Sequence, residues 1–296
     1  MRGVFVEFIA SIIVSGISLG GQYALIAIGY TMVYGILRLI NFAHGDVFMV
    51  AGMVLIYLCA TMPWYVALPF MAIMIIVLGF GIERAAYMPL RSAPRMSVMI
   101  SAIGVSYLLQ NLMTYITAGQ PMQYPQIPFL SKTVSIFGTE TSWAKIVTPF
   151  IVIALVFVLS LLINHTKIGM AMRAVSKDFE TSQLMGIKIN KVISATFIIG
   201  SFLAAVGSVL YFTNYRSIVP VSGALPGLRA FVAAVFGGIG SIPGAVVGAF
   251  IIGLCESLIR GTDFAIFSDA FTFALLIIIL VVKPTGLFGE KVTDKV

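Results

Sequence analysis

The polar stretch that decides the fold is Leu39-Ile40-Asn41-Phe42-Ala43-His44-Gly45-Asp46. Apolar runs flank it on both sides, over residues 8–37 and 47–60. Polar side chains and unpaired backbone groups lose several kcal/mol in hydrocarbon, so such a stretch persists at membrane depth only where protein buries it or water reaches it. We therefore predict a break between the first two helices that faces a path for a polar solute. An ordinary cytoplasmic turn, ended by Gly45, is the alternative.

The composition is that of an integral membrane protein. Hydrophobic residues make up 60% of the 296 residues and charged residues 10%, whereas soluble domains carry about 25% charged residues. Apolar runs such as residues 273–280 do not alternate in polarity, as the strands of a membrane barrel would. We predict an all-α polytopic membrane protein with about eight transmembrane helices, forming a single domain over residues 1–296.

The predicted membrane segments are apolar and separated by polar linkers. The first is too long for the core of a signal peptide, and it fits either one tilted helix or a helix with a short re-entry. The segments are residues 8–37, 47–61, 65–86, 97–117, 144–164, 191–212, 230–257 and 269–283.

Basic residues orient these segments. The linkers 84–95 and 167–191 and the tail from Lys283 are rich in Lys and Arg, which is typical of cytoplasmic loops. Residues 118–143 hold one Lys and three prolines, which indicates an external loop. The net charge of +7 is explained by the cytoplasmic loops. We therefore expect contact with membrane lipids and none with nucleic acid.

The segment 230–257 predicts a second break. The spans before and after it, 191–212 and 269–283, place both of its ends outside, so it must enter the membrane and return. Residues 237–244 read Gly-Gly-Ile-Gly-Ser-Ile-Pro-Gly, in which the glycines accept unusual backbone angles and the proline lacks an amide donor. We predict a partial helix over residues 228–236, a break over 237–244, and a returning helix through Gly253.

One interrupted apolar segment in each half of a chain is the pattern of a transport pathway. Glycines four residues apart also allow close helix packing, and we expect both roles here. The glycines at that spacing are Gly16 and Gly20, and Gly240, Gly244 and Gly248. The candidate pathway residues are Asn41, His44, Gly45, Gly237, Gly238, Gly240 and Ser241.

The cytoplasmic segment 167–191 predicts a short amphipathic helix. Met172, Val175 and Phe179 share one helical face, and Gly186 ends the pattern. Three apolar side chains on an exposed loop need a partner, which is either lipid headgroups or another protein.

The sequence offers little for catalysis. It has no G-x-x-x-x-G-K-[ST] phosphate loop and no H-E-x-x-H zinc pair. Of the two histidines, His44 is placed to hydrogen-bond Asp46, and His165 lies at a helix end. Both cysteines, Cys59 and Cys255, lie in apolar runs and are expected to be packing residues. We expect no enzyme activity, no metal site and no cofactor.

Together these motifs resemble the LivH-type permease subunit of branched-chain amino acid ABC importers, over essentially the whole chain. Two positions depart from the family pattern, because Lys283 stands where Arg is usual and Asp46 where Glu is common. The matching motifs are residues 21–29, 34–35, 40–45, 169–174, 186–187, 236–244 and 283–289.

The resemblance implies a vitamin B12 importer-like fold of the type II ABC importers, in the cytoplasmic (inner) membrane of a bacterium or archaeon. It also implies a LivM-type second permease subunit, two cytoplasmic ATP-binding subunits and an external solute-binding protein. Residues 173–187 would dock in the ATP-binding subunits. The residues implied in this coupling are Arg173, Ala174, Phe179, Gly186 and Ile187.

The activity that the resemblance implies is ATP-driven import of leucine, isoleucine and valine. Relatives of the family also move urea, short amides or other amino acids, and they share the motif of residues 41–45, so these cargoes stay open. A stand-alone channel for a small neutral solute is the hypothesis from a different functional class.

Overall fold

The structure, a computed structural model, describes residues 2–91, 93–136 and 139–289, and within these ranges the chain is mostly helical. The α-helices are α1 (Arg2–Leu37), α2 (His44–Thr61), α3 (Trp64–Ile82), α4 (Arg95–Thr117), α5 (Trp143–His165), α6 (Lys167–Lys177), α7 (Phe179–Leu184), α8 (Ile189–Tyr215), α9 (Ala224–Gly237), α10 (Ile242–Arg260) and α11 (Ser268–Val282). A π-helical turn, Glu83–Tyr87, extends α3, and a 3₁₀ turn, Ala265–Phe267, precedes α11.

The helices confirm the predicted membrane architecture. In the described residues, eight helices are long and apolar enough to cross a membrane. Trp64 and Trp143 begin α3 and α5, and tryptophan is typical of the membrane–water boundary. α1, α2 and α8 are mostly buried, whereas α3, α4, α5 and α11 expose most of their apolar residues. The buried helices therefore form the centre of the bundle, and the exposed ones face lipid or partner subunits.

The predicted external loop contains three of the four strands in the described residues. β2 (Thr133–Ile136) pairs with β3 (Thr139–Ser142), and β1 (Met122–Gln123) pairs with β4 (Ser217–Ile218), both antiparallel. The second pair joins the loop after α4 to the chain that follows α8. The outer end of the bundle is thus held together by backbone hydrogen bonds.

The three basic segments lie at one end of the bundle, which we call the cytoplasmic end. Arg91 contacts both Glu83 and Asn190, so the linker after α3 lies against the start of α8. Arg38, which ends α1 with a positive φ of 55°, donates to the Ser176 carbonyl of α6 at 3.1 Å. α1 is one continuous helix, without a re-entry, and it ends on this side.

Small residues bring α1 and α10 into backbone contact. A Cβ on Gly20 would lie 2.7 Å from the Cα of Phe250, and one on Gly16 would lie 3.0 Å from the Cα of Leu254. A Cβ on Gly253 would lie 2.3 Å from the amide nitrogen of Gly20. The two helices therefore run antiparallel with no room for side chains between them, as the four-residue glycine spacing predicts.

α9 and α10 form a second tight antiparallel pair. A Cβ on Gly248 would lie 2.3 Å from the Ala233 carbonyl oxygen, and one on Gly237 would lie 1.9 Å from that of Gly244. The segment 230–257 therefore enters and returns as predicted, although the break covers only residues 238–241. Gly240 was expected to pack like Gly244 and Gly248, but this prediction is wrong. Nothing lies within 4 Å of a Cβ there, because Gly240 belongs to the turn, with a φ of +100°.

Gly253→Val should destabilise the bundle, because the added side chain would meet the backbone of Gly20 rather than a movable side chain. Overpacking of this kind costs about 1–3 kcal/mol, so we expect a lower melting temperature of the purified protein in detergent. Gly104→Val is the matched control, since nothing lies within 4 Å of a Cβ at Gly104. Equal melting temperatures for the two variants would contradict the contact between α1 and α10.

Candidate translocation pathway

The break between α1 and α2 is built around Asn41. Its Oδ1 atom accepts hydrogen bonds from the Ala43 amide at 3.2 Å and from the Tyr87 hydroxyl at 2.7 Å. Its carbonyl accepts a hydrogen bond from the His44 amide. Asn41 is only 3% exposed. Asn41 is thus buried in protein, unlike a residue of an ordinary surface turn, and it ties the break to the π-helical turn after α3.

His44, the first residue of α2, fills a notch in α1. A Cβ on Gly29 would lie 2.1 Å from its Nε2 atom, so the imidazole occupies the space that a side chain would need. The ring stands edge-on to that of Tyr30, with centroids 5.1 Å apart. His44 is 3% exposed and its Nε2 atom has no hydrogen-bond partner within the described part of the chain.

Asp46 faces away from His44, so the predicted hydrogen bond between them is wrong. Residues two apart on a helix point to different sides, and Asp46 turns toward α4. There its Oδ1 atom accepts a hydrogen bond from Gln110 at 3.0 Å, and its Oδ2 atom accepts one from the Ser106 hydroxyl. Asp46 is 2% exposed.

A cavity of about 360 Å³ opens at this point between α2, α4 and α9. Asp46, Ser106 and Gln110 give it one polar wall, and aromatic and aliphatic side chains form much of the rest. Its volume falls in the range of small-molecule sites, about 300–1,000 Å³. The lining residues are Tyr30, Phe42, Gly45, Asp46, Ile103, Ser106, Tyr107, Gln110, Gly223, Ala224, Gly227, Leu228 and Phe231.

The second break is closed by the chain after α11. The amides of Leu287 and Phe288 donate to the carbonyls of Phe236 and Gly237, each at 2.9 Å. A Cβ on Gly238 would lie 2.4 Å from the amide nitrogen of Gly289. These carbonyls, expected to face a path, are therefore paired with the segment 286–289.

Ser241 and Gly240 complete this break. The Ser241 hydroxyl accepts a hydrogen bond from the Gly244 amide at 3.3 Å and so caps α10. Gly240 lies beside Gly35, near the end of α1. The break is therefore at the cytoplasmic end of the bundle.

The structure brings together only part of the predicted pathway. Gly45 lines the cavity. Asn41 and His44 are buried close to it in the chain but do not line the cavity. The residues Gly237 to Ser241 lie beyond the other end of α9, a helix of 14 residues that spans about 21 Å. None of them is among the described residues that line the cavity. Their place in a pathway stays a prediction.

Sequence reasoning missed a buried ionic cluster, which we call the Arg229 cluster. Arg229 of α9 pairs with Glu256 of α10 at 2.9 Å and with Asp269 of α11, and it donates to the Tyr23 hydroxyl of α1 at 3.1 Å. Arg260 pairs with Glu256 at 2.6 Å. The cluster joins four helices with two positive and two negative charges. Its signal was available, because charged residues in apolar helices face inward and pair.

Two polar cavity residues were also missed. Ser106 and Gln110 are four residues apart in the apolar helix α4, so they share a helix face. Polar side chains at that spacing in a membrane span are expected to point toward a polar partner. Tyr30, which joins His44 to the cavity, carried no such signal.

The cytoplasmic segment consists of two helices rather than one. Asp178 starts α7, because its Oδ1 atom accepts a hydrogen bond from the Thr181 amide at 3.0 Å. Met172 and Val175 are buried, but Phe179 lies beyond this break and is 40% exposed. The prediction that these three share one face is therefore wrong.

The exposed apolar residues of this segment lie at its far end. Leu184 is 87% exposed and Met185 is 79% exposed. They precede Gly186, whose φ of +84° ends the segment as predicted. Arg173 donates to the Asn164 carbonyl at 3.3 Å and is otherwise exposed, while Ala174 and Ile187 are half-buried.

Eight spans, an interrupted segment in each half, a cavity at one interruption and a cytoplasmic pair of helices define a multi-pass permease of the inner membrane. Residues 12–280 match the family model described as "Branched-chain amino acid transport system / permease component". The chain belongs to this family and is a transport permease subunit.

Curated relatives agree with this assignment. The chain is 41% identical over 298 residues to the "High-affinity branched-chain amino acid transport system permease protein LivH" of Escherichia coli (strain K12), covering 95% of this chain and 96% of the relative. It is 40% identical over 300 residues to the BraD protein of Pseudomonas aeruginosa, covering 96% and 97%. A probable LivH of Methanocaldococcus jannaschii is 30% identical over 285 residues, covering 90% and 88%. The resemblance predicted from the motifs is confirmed.

Arg229→Met should destabilise the bundle strongly, because it leaves the fully buried Glu256 with less positive charge. Removing one partner of a buried ion pair costs about 3–5 kcal/mol. We expect little folded protein by size-exclusion chromatography and a lower melting temperature. Arg229→Met combined with Glu256→Gln should recover part of the loss, since the charges balance again.

Lys132→Met, which removes an exposed charge from the external loop, is the control and should melt like the unchanged protein. If Arg229→Met also melts like the unchanged protein, the ionic cluster does not hold these helices together.

Proposed function

We propose that this chain translocates leucine, isoleucine and valine as one permease subunit of an ATP-driven importer. The observation that carries the proposal is the 40–41% identity to curated branched-chain amino acid permeases over almost the full length of both chains. The cavity supports it, because the apolar wall suits an aliphatic side chain and the polar wall, which holds a carboxylate, suits the ammonium group of an amino acid. Binding there is weak, so that the cargo is released, and selectivity lies mainly with the external receptor.

The proposed partners are a LivM-type second permease subunit, two cytoplasmic ATP-binding subunits and an external solute-binding protein. The sequence has no phosphate-binding loop of the G-x-x-x-x-G-K-[ST] type, so ATP is hydrolysed by other chains. The solute-binding protein docks at the outer end, on the loop of residues 118–143 and on the connection between α8 and α9, within residues 213–228. The ATP-binding subunits dock at α6, α7 and the exposed residues that follow.

The contacts suggest how docking at the cytoplasmic end reaches the cavity. Arg38, the first residue after α1, donates to the Ser176 carbonyl of α6, and the break that follows leads directly to the start of α2. A shift of α6 therefore acts on an irregular connection beside the cavity. Because packed helices have discrete arrangements, such a shift favours one of two states, open to the outside or to the cytoplasm.

Uptake by the reconstituted importer tests the substrate. Proteoliposomes with both permease subunits and both ATP-binding subunits, supplied with the receptor, should accumulate labelled leucine only when ATP is inside. Unlabelled isoleucine and valine should compete, whereas urea and acetamide should not. Saturable ATP-dependent urea uptake without leucine uptake would instead favour the urea and amide importer.

The same system separates an importer from a stand-alone channel. Liposomes that contain this chain alone should show no downhill flux of leucine or urea, because the powered complex is incomplete. Flux from this chain alone would contradict the proposal.

Leu184→Ser should weaken assembly with the ATP-binding subunits, since it removes the most exposed apolar side chain of the cytoplasmic segment. An interface anchor truncated in this way costs about 1–2 kcal/mol or more, so we expect a clear loss of co-purified ATP-binding subunit. Ile266→Ser is the matched control, because Ile266 is 90% exposed at the outer end. Normal co-purification with Leu184→Ser would place the docking surface elsewhere.

A further inference from the structure

We propose that the Asp46 carboxylate is the group that holds the ammonium group of the amino acid as it passes through the permease. This inference rests on the proposed function and adds a specific contact and a substrate class to it: cargo with a primary ammonium group.

The position of Asp46 is the first support. The carboxylate lies in the first turn of α2, lines the cavity of about 360 Å³, and is oriented by two polar side chains of α4. Ser106 and Gln110 each donate one hydrogen bond to it. A carboxylate can accept about four hydrogen bonds. The remaining acceptor positions of the carboxylate are therefore available to a hydrogen-bond donor that enters the cavity.

The charge of Asp46 is the second support. The described residues contain three buried carboxylates, at Asp46, Glu83 and Glu256. Glu83 pairs with Arg91, and Glu256 pairs with Arg229 and Arg260. Asp46 has no such cation, and no Lys, Arg or His is among the described residues that line its cavity.

A buried charge without a partner is costly. The N-terminal turn of α2 and the two hydrogen bonds stabilise the carboxylate, but they do not neutralise it. The two paired carboxylates have structural partners from their own chain. Asp46 therefore differs from them in the way expected of a carboxylate whose cation is a transported ligand rather than a residue of the same chain.

The apolar wall of the cavity fits the rest of the cargo. Tyr30 and Phe231 lie 6.1 Å apart between ring centroids, and Ile103 and Leu228 add aliphatic surface. An ammonium group at Asp46 places the side chain of the amino acid against this apolar wall. Leucine, isoleucine and valine share the ammonium group, whereas urea and neutral amides lack it. Asp46 thus favours amino acids as a class without separating the three.

Leucine uptake by the reconstituted complex tests this role. Asp46→Asn keeps the size and the capacity for hydrogen bonds with Ser106 and Gln110 but removes the charge. A hydrogen bond to a charged group contributes about 1.5–3 kcal/mol, so the maximal uptake rate should fall about tenfold or more. The half-saturating leucine concentration should not change, because the receptor sets it. Asp46→Glu restores the carboxylate and should recover much of the rate.

Two controls separate transport from structure. Asp263→Asn removes an exposed carboxylate at the outer end and should import leucine normally. Co-purification of all subunits with Asp46→Asn should be unchanged. If this variant loses the second permease subunit, Asp46 pairs with that subunit and the inference is overturned. Uptake equal to that of the unchanged complex overturns it as well. Failure of the unchanged complex to import leucine would instead contradict the proposed function itself.

Discussion

Backbone groups without hydrogen-bond partners cannot face lipid, and both helix interruptions are built to satisfy this constraint. At the first interruption, the amide oxygen of Asn41 accepts from the backbone and from Tyr87. At the second, the segment 286–289 donates to the open carbonyls at the end of α9, and Ser241 caps α10. Each interruption is therefore closed by a distant part of the chain, so its shape depends on tertiary contacts rather than on its own sequence.

The same constraint applies to charge. Two of the buried carboxylates are neutralised by arginines, one at the cytoplasmic end and one among α1, α9, α10 and α11. These pairs hold helix ends together, because separating them would expose charge to an apolar environment. The third, Asp46, is held only by neutral hydrogen-bond donors beside a cavity. The three buried carboxylates of the described residues thus divide into two structural ion pairs and Asp46, which lines the cavity.

The sequence predicted the arrangement of spans better than the composition of the site. Hydropathy, basic linkers and the parity of crossings were sufficient to predict the eight spans and the re-entry before residue 242. These features depend only on the length of each apolar segment and on the side of the membrane where its ends lie. Segment length and orientation did not determine the roles of individual glycines. Gly244 packs and Gly240 turns, although both belong to one four-residue pattern. Which role applies depends on whether another backbone comes close, and spacing along the chain does not encode that.

The missed residues share a physical reason. Ser106 and Gln110 are distant in sequence from the two predicted breaks, and the members of the Arg229 cluster lie in four different helices. Single polar residues in apolar helices predict an inward-facing side chain but not its partner. The partner of such a residue depends on how the helices pack, and a single sequence does not specify that packing directly.

The geometry around α1 indicates which element is free to move. α1 is held along much of its length by backbone contact with α10, so it cannot slide without separating two glycine surfaces. Its last residues contact both α6 and the turn at Gly240, and the next six residues form the break. The start of α2 is in turn pressed against α9, since a Cβ on Gly45 would lie 2.7 Å from the Gly223 carbonyl oxygen. Because α10 holds α1 in place, we expect a force applied at α6 to shift the break and the start of α2 more than α1. Because the cavity lies between α2, α4 and α9, moving the start of α2 away from α9 is the change that would widen it.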